Sequence, residues 1–482
     1  METTEMRKIG LRMFEDADLQ RVHDFSMKLL GENGIHFPDE RALKIFKDKG
    51  FRLDGEQVYM TESQVRAAVE SASSHFVIRG RNPERNLDLG IGGGSYGIPG
   101  PIGPIDVVDM DNGQRRGTLK DTENLIKIYQ ASNVMTMNSN NGVEANDIDV
   151  SERHLRVMHA LLSHTDKPFY TKLFNYEQMH EAMDMIEIAM KDKLEPGGNI
   201  YLSAGSTPSL SPLAYSKEVL DAIIALSERG QVVSTGTATS TGVTGPIRIF
   251  GTLVMQNAEL LAGIVLSQLV NPGNPVAYGT GATPGNMRGA KYCCGSPART
   301  ALQLGSVELG KRFYHLPTRT ITFGSDSLNM DVQAGIESYE NVLGNTLSGA
   351  DYMLSEIGTL GGLMTTSYEK TIIDEEIVSR LMYMRDGIDV SDEAASMETI
   401  MEIGSRGEYI TSDDTLENMY DGWYPTYTDW NSSPEKRPAD DYTYVLRRAN
   451  AEWKRRLEEA PETMLDEGTE EALNEYIEKH LK

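Results

Sequence analysis

The amino-acid sequence predicts an α/β fold in which short buried strands alternate with amphipathic helices. Between Val134 and Gly362, apolar runs repeatedly end in small polar residues and are followed by helix-like stretches, as at 137–142, 279–283 and 324–327. An apolar run between such helices is typical of a parallel strand buried on both faces. The repeat predicts a TIM (β/α)8 barrel, in which the carboxyl ends of the strands converge on one functional mouth.

Three regions are predicted along the chain: a helical N-terminal region with the start of a cap (1–90), the barrel (91–385) and an acidic helical C-terminal extension (386–482). Apolar residues at helical spacing predict the entry helices and those between the barrel strands. A predicted hairpin over 76–90, with the Gly/Pro-rich passage after it, is expected to close the barrel bottom or to supply an eighth strand. In the extension, the aromatic stretch Trp423–Trp430 either packs on the barrel or forms a binding surface.

Composition limits the classes of partner and the compartment. A formal net charge of −26 argues against nucleic acid, because neutralising phosphates requires clustered Lys and Arg. The two cysteines, Cys293 and Cys294, are adjacent and cannot cross-link a secreted scaffold, so a cytoplasmic location is expected. The charged first residues lack the apolar core of a signal peptide. Leu260–Val270 is too short for a membrane span and predicts a core helix, so no membrane association is expected.

Common cofactor and metal motifs are weak in this sequence. Gly92–Gly97 satisfies G-x-G-x-x-G, but prolines follow where a nucleotide-binding helix would begin. His154, His159 and His164 are spaced by five residues, so a helix would turn them towards different faces. We therefore expect neither a nucleotide site nor a bound metal, with zinc at the paired cysteines as a minor alternative.

Two acidic residues follow predicted strands and are therefore expected at the barrel mouth. Asp326 comes after the strand-like run that begins at Thr318, and Glu356 follows Tyr352–Leu354. A carboxylate there can act as a base, hold a metal or neutralise a cationic ligand, whereas hydrogen bonding to loop amides is the structural alternative. Lys172 also follows a predicted strand, where a Schiff-base lyase or aldolase would keep its lysine; a purely structural lysine is the other interpretation.

Aromatic and basic residues near the predicted strand ends complete the set of candidates. Tyr96, Phe174 and Tyr278 either pack in the core or surround a quaternary ammonium group as a cage. Arg288 and Arg312 either bind a carboxylate through two parallel hydrogen bonds or anchor a loop and a helix. The residue types at this mouth are thus those that would bind a small ligand with a cationic and an anionic end.

Several sequence blocks occur in one order that resembles the trimethylamine:corrinoid methyltransferase (MttB) family. The similarity extends from about Leu11 to the final helices and is carried by the blocks 256–263, 272–279, 325–327, 331–337 and 349–362. The resemblance implies a TIM barrel that moves a methyl group from an amine to the cobalt(I) of a separate corrinoid protein. It also implies that this chain binds no corrinoid itself, and a homo-oligomer is expected.

The sequence departs from this family in one respect that concerns the substrate. Members that act on trimethylamine carry a pyrrolysine in the barrel, and this sequence contains none. It resembles the branch of the glycine betaine methyltransferase, which implies a quaternary amine such as glycine betaine, proline betaine or carnitine as substrate. A barrel lyase or aldolase that uses Lys172, and a betaine-binding barrel without catalysis, remain the alternatives.

Roles for the candidate residues follow from the expected chemistry. A quaternary nitrogen loses its positive charge when it loses a methyl group, so a cage that held the cation tightly would stabilise the ground state and slow the reaction. We therefore expect a loose cage of Asp326 and Glu356 with the three aromatic residues, and an anchor at Arg288 or Arg312 for the carboxylate of a betaine. The loops after the strands and the stretch Trp423–Trp430 are candidates for docking the corrinoid protein.

Overall fold

Strands and helices alternate through the middle of the chain, as the sequence predicts. The computed structural model describes residues 6–7, 10–101, 103–204, 207–322, 324–430, 438 and 440–481. The helices are α1 (Asp16–Lys28), α2 (Glu40–Asp48), α3 (Glu62–Ser71), α4 (Leu119–Ala131), α5 (Val150–His164), α6 (Tyr176–Met190), α7 (Lys217–Glu228), α8 (Ile249–Val270), α9 (Pro297–Glu308), α10 (Val332–Ser348), α11 (Tyr368–Asp386), α12 (Met397–Ile403), α13 (Asp413–Asn418), α14 (Tyr444–Glu459) and α15 (Glu467–His480).

The strands are short, and most of those in the middle of the chain are buried. They are β1 (Met6–Arg7), β2 (Ile35–His36), β3 (Arg52–Asp54), β4 (Gln57–Tyr59), β5 (His75–Ile78), β6 (Leu87–Gly90), β7 (Asp106–Asp109), β8 (Gly113–Arg116), β9 (Asn138–Ser139), β10 (Phe169–Thr171), β11 (Leu202–Ala204), β12 (Thr207–Ser209), β13 (Val233–Thr237), β14 (Ser240–Thr241), β15 (Val276–Gly279), β16 (Thr283–Asn286), β17 (Lys291–Tyr292), β18 (Thr318–Thr322), β19 (Tyr352–Ser355), β20 (Thr359–Leu360), β21 (Thr365–Ser367) and β22 (Ile388–Asp389).

Two parallel sheets form the centre of the molecule. One has the order β11-β10-β9 and the other the order β12-β13-β15-β18-β19. Isolated parallel bridges extend both sheets, because Ser203 pairs with Val232 and Gly97 pairs with Tyr352. The Met137 N–H also donates to the Ile98 carbonyl at 3.2 Å. The α/β class with parallel strands is therefore confirmed, and all these strands present their carboxyl ends to one side.

The hairpin predicted over 76–90 is present and packs at the amino ends of the parallel strands. β5 and β6 pair antiparallel from His75↔Gly90 to Ile78↔Leu87. Their apolar face forms one buried cluster with residues at or near the starts of central strands: Met137, Val232, Ala277 and Tyr352. The hairpin thus covers the end opposite to the expected mouth, and the passage after it supplies Gly97, which pairs beside β19.

Local sequence signals explain where individual helices begin and end. Thr118 and Asp121 form a capping box at the start of α4, in which each side chain accepts from the other residue's backbone N–H. Gly349 ends α10 in a left-handed conformation with φ of 78°. The predicted core helix at Leu260–Val270 belongs to the longer α8. Among the described helices, α8 alone is long and apolar enough to cross a membrane, and 83% of its apolar window is buried inside the protein.

The C-terminal extension packs partly on the central helices. In α14, Arg456 donates to both oxygens of Glu375 in α11, at 2.9 and 2.8 Å. The aromatic stretch Trp423–Trp430 also contacts α11, since Trp423 Nε1 donates to Ser379 Oγ in that helix at 3.1 Å. Trp423 thus shows the packed arrangement of the two that the sequence left open, whereas Tyr424 and Trp430 of the same stretch are exposed. The boundaries of the three regions remain predictions.

Lys167 provides a test of how the connection before β10 is held. Its buried ammonium donates to the carbonyls of Tyr129, Ser132 and Met135, each at 2.7 Å, and so satisfies the carboxyl end of α4. Lys167→Met would leave the Ser132 and Met135 carbonyls without this donor, while the Tyr129 carbonyl keeps the Ser132 N–H at 3.3 Å, and we expect a loss of about 2–4 kcal/mol in the free energy of unfolding. Lys44→Met, at an exposed ion pair, should cost less than about 1 kcal/mol. Equal urea midpoints for the two variants would contradict this role.

Candidate functional site

Glu356 lies at the carboxyl end of the central sheet, as predicted. It directly follows β19, and its N–H donates to the carbonyl of Thr322, the last residue of β18, at 2.7 Å. Its side chain is only 3% exposed. The register of two parallel neighbours therefore carries this carboxylate into a buried position at the ends of both strands.

A buried arginine that the sequence did not single out holds Glu356. Arg299, in the first turn of α9, donates from Nη2 to Glu356 Oε1 at 2.9 Å and from Nη1 to the Cys294 carbonyl at 3.0 Å. Arg299 is fully buried. Burial raises the pKa of Glu356, and the positive charge of Arg299 acts in the opposite direction by favouring the carboxylate.

The second oxygen of Glu356 is buried in a different environment. Within the described residues, Oε2 has no hydrogen-bond donor. It lies against the backbone of Gly324, where a Cβ would overlap it, so this position accepts only glycine without a shift of the carboxylate. A buried acceptor without a donor is costly and is uncommon in proteins. Glu356 therefore has one oxygen bound to Arg299 and one buried oxygen without a donor among the described residues.

Asp326 supports the loop that precedes α9. Its Oδ1 accepts from the Cys294 N–H at 3.0 Å and its Oδ2 accepts from the Gly295 N–H at 3.1 Å. Asn341 Nδ2 binds the same loop by donating to the Cys294 carbonyl at 3.1 Å. This is the hydrogen bonding to loop amides that the sequence left as the alternative. Asp326 also lies close enough to Glu356 to raise the pKa of Glu356 by like-charge repulsion.

Two tyrosines that the sequence did not single out lie close enough to Glu356 to be influenced by its charge. Tyr170 and Tyr292 both interact electrostatically with Glu356. Tyr170 donates its hydroxyl to the carbonyls of Gly100 and Pro101, and burial raises the pKa of both phenols. Tyr170 lies within β10 and Tyr292 at the end of β17, so their strand positions were the only sequence signal that could have revealed them.

Neither Tyr96 nor Tyr278 lies beside Glu356. Tyr96 is at the opposite end of the central strands, and Tyr278 faces the surrounding helices. Tyr96 immediately precedes Gly97, which pairs with the first residue of β19, so it lies at the amino end. There the Arg385 guanidinium stands 4.2 Å from its ring centroid. Tyr278 points from β15 into the helical layer, where its hydroxyl donates to Asn257 Oδ1 in α8 at 2.8 Å. The structure therefore does not bring these two rings together with Glu356.

Phe174 and Lys172 follow β10 at the expected end but have local partners. Phe174 is 7% exposed and packs edge-on against the His154 ring in α5, with ring centroids 5.8 Å apart. Lys172 Nζ donates to both oxygens of Glu144 at 2.8 Å. This ion pair is the arrangement expected of a structural lysine.

The two predicted arginines lie in different parts of the molecule. Arg312 follows α9, towards the amino ends of the strands, where Nη1 donates to the Phe14 carbonyl at 2.8 Å and the guanidinium also pairs with Glu308 and Asp16. It fastens the N-terminal segment and does not reach the carboxyl ends. Arg288 is exposed at the tip of the hairpin formed by β16 and β17, on the same side as Glu356.

Comparisons with known proteins find similarity along almost the whole chain. The sequence profile of the family described as trimethylamine methyltransferase (MTTB) matches residues 3–482. Glycine betaine methyltransferase of Desulfitobacterium hafniense (strain Y51) is 33% identical over 96% of this chain and 95% of its own length. Two proteins of Eubacterium limosum are also similar: proline betaine:corrinoid methyltransferase is 31% identical over 95% of this chain and 96% of its own. The second, L-carnitine:corrinoid methyltransferase, is 28% identical over 94% of this chain and 95% of its own length. The chain therefore belongs to the trimethylamine methyltransferase (MTTB) family.

Proposed function

We propose that this protein transfers a methyl group from a quaternary amine of the betaine type to the cobalt(I) of a corrinoid carried by a separate protein. The observation that carries the proposal is the buried Glu356 carboxylate, whose Oε2 has no donor in the described part of the chain. A cation brought beside this oxygen would offset the cost of burying it. The relatives are named as methyltransferases of glycine betaine, proline betaine and L-carnitine. These names support a quaternary amine of the betaine type as the substrate.

We also infer that the central strands close into one (β/α)8 barrel. Three contacts support closure: the bridge between Ser203 and Val232, the bridge between Gly97 and Tyr352, and the hydrogen bond from Met137 to Ile98. Together with the two sheets, these contacts would join the strands in a ring. In such a barrel Glu356 would lie in the mouth.

The ion pair with Arg299 suits a cation that must lose its charge during the reaction. A lone buried carboxylate would attract the ammonium strongly and stabilise the ground state. Arg299 already neutralises one charge at Glu356, so the attraction that remains is weaker. We propose Tyr170 and Tyr292 as the aromatic neighbours of the ammonium, because both are buried and lie close enough to Glu356 to be influenced by its charge.

Because the reacting nitrogen is quaternary, the protein does not have to supply an acid or a base for the reaction. When the N–CH3 bond breaks, its electron pair stays on nitrogen and a neutral tertiary amine leaves, so no proton donor is required. The corrinoid supplies a nucleophilic cobalt(I) when the partner is bound. The residues of this chain bind the cation, orient one methyl group towards the mouth and keep water away from it. Arg288, exposed on the same side, remains our candidate for the carboxylate of a betaine.

The substrate class can be tested directly with free cobalamin. The purified protein is incubated with reduced cobalamin(I) and a panel of glycine betaine, proline betaine, L-carnitine, tetramethylammonium and trimethylamine. We expect methylation of cobalt, read from its absorption spectrum, with at least one betaine and not with trimethylamine. A separate incubation with borohydride and added aldehydes and ketones tests the alternative lyase, because only a Schiff base between Lys172 and such a carbonyl group would be trapped by reduction. No methylation of either free cobalamin or a corrinoid-loaded protein with any quaternary amine would refute the proposal.

Glu356→Gln tests the proposed cation site. The variant keeps the side-chain volume but removes the negative charge, and we expect KM for the quaternary amine to rise about tenfold or more, equivalent to about 1.4 kcal/mol. Because the single change leaves Arg299 buried without a counter-charge, stability should also fall. Asp326→Asn is the matched control, since its oxygens accept from the Cys294 and Gly295 amides, and it should change KM less.

A double variant separates binding from stability in this test. Arg299→Met combined with Glu356→Gln removes both charges of the pair, a replacement that is often neutral for folding. We expect the melting temperature to recover towards that of the unaltered protein while KM stays high. If KM recovers together with the melting temperature, the carboxylate acts only through the fold and the cation lies elsewhere.

A further inference from the structure

The loops that follow the central strands expose large apolar side chains on one side of the molecule. These residues lie after β12, between β14 and α8, between β16 and β17, after β18, and between β20 and β21. They are between 42% and 80% exposed. We call them the apolar rim: Leu210, Val243, Ile247, Met287, Leu328 and Met364.

Two members of the apolar rim, Ile247 and Met287, meet over Gly242. A Cβ at Gly242 would lie 2.7 Å from Ile247 Cδ1 and 2.7 Å from Met287 Sδ, so both side chains reach over this residue. Gly242 has φ of 79°, a conformation that glycine adopts most readily. The loops after β14 and β16 therefore form a shared apolar surface, which monomeric proteins usually expose only where something binds.

The rim borders the candidate site directly. Leu328 stands two residues after Asp326, and its loop is held to the β20–β21 hairpin because the Gly361 N–H donates to the Ser327 carbonyl at 2.7 Å. A Cβ at Gly362, in the same hairpin as Met364, would lie 3.6 Å from Asp326 Oδ1. The rim therefore lies beside the loop of Asp326, at the carboxyl ends of the strands where Glu356 is also found.

An apolar groove continues the rim away from the site. It has a volume of about 480 Å³ and is lined by Phe25, Leu29, Leu213, Pro246 and Phe250, among other residues. Pro246 precedes Ile247, so the groove begins at the rim itself. A groove beside an exposed patch can accept an anchoring side chain from a partner.

We propose that the apolar rim is the docking surface for the protein that carries the corrinoid. The inference rests on the proposed function, in which the methyl group must come within bonding distance of a cobalt held by another protein. That protein must therefore cover the edge of the site. In the other candidate surface, Trp423–Trp430, the Trp423 ring is engaged with Ser379 and Arg380 of α11, while Tyr424 and Trp430 are 53% and 50% exposed.

The composition of the rim also determines how docking responds to salt. Its six side chains are apolar, so burying them contributes through the hydrophobic effect, which does not weaken as salt rises. A contact formed mainly by exposed charges would lose strength over the same range. We therefore expect the affinity for the corrinoid protein to change little between low salt and about 0.3 M salt.

Two acceptors separate docking from catalysis. Ile247→Asp, Met287→Asp and Leu328→Asp are each assayed with free cobalamin(I) and with a purified corrinoid-loaded protein that accepts methyl groups from the unaltered enzyme. Each variant should lose about tenfold or more in kcat/KM for the corrinoid protein and keep its rate with free cobalamin. Met401→Asp, which places the same charge at a residue 76% exposed in α12, is the control and should leave both rates unchanged.

Each other outcome counts against the proposal. Full activity of all three rim variants with the corrinoid protein would overturn the docking surface, and an equal loss with both acceptors would assign the rim to folding or to catalysis. A loss at Met401→Asp of the same size would show that any added surface charge interferes. Absence of methyl transfer from the unaltered enzyme to either acceptor would refute the proposed function itself, and the docking surface would fall with it.

Discussion

The buried ion pair between Arg299 and Glu356 is the interaction on which the candidate site depends. Two charges removed from water are costly unless their geometry is good and their remaining groups are satisfied. Arg299 meets this requirement in part, because it binds Glu356 Oε1 and the Cys294 carbonyl at the same time. Its Nε, like Glu356 Oε2, has no hydrogen-bond partner among the described residues. The pair thereby joins the start of α9 to the end of β19, and the loop at Cys294 is fixed between them.

Other contacts hold this loop from the opposite side, which leaves the pair little freedom to move. Asp326 accepts from two of its N–H groups, and Asn341 donates both to the Cys294 carbonyl and to the Gly324 carbonyl. Gly324 in turn leaves room for Glu356 Oε2. The two acids therefore have different tasks: Asp326 shapes the loop, while Glu356 presents a carboxylate oxygen that the described chain does not use.

The sequence predicts the positions of the two acids because strand ends are marked by a change from apolar to small polar residues. It does not predict which way a residue points when a strand is buried on both faces. Every residue of β15 is buried, so the sequence allows Tyr278 to face either the space between the strands or the surrounding helices. Its hydrogen bond to Asn257 in α8 shows that it faces the helices. The sequence did not reveal the role of Arg299, because a basic residue in the first turn of a helix that begins with Ser296 and Pro297 is typical of an exposed position. Tyr96 was misplaced because Gly97 pairs beside β19 within a Gly/Pro-rich passage that has no strand pattern.

The central claim is that the ammonium group of the substrate lies beside Glu356. A crystal structure of the protein with the betaine that it demethylates, without corrinoid, tests this most directly. We expect the quaternary nitrogen within about 5 Å of Glu356 Oε2, with Arg299 still bound to Oε1 and a methyl group facing the apolar rim. A betaine bound with its ammonium group elsewhere, while Glu356 Oε2 remains against Gly324 without a ligand, would contradict the account.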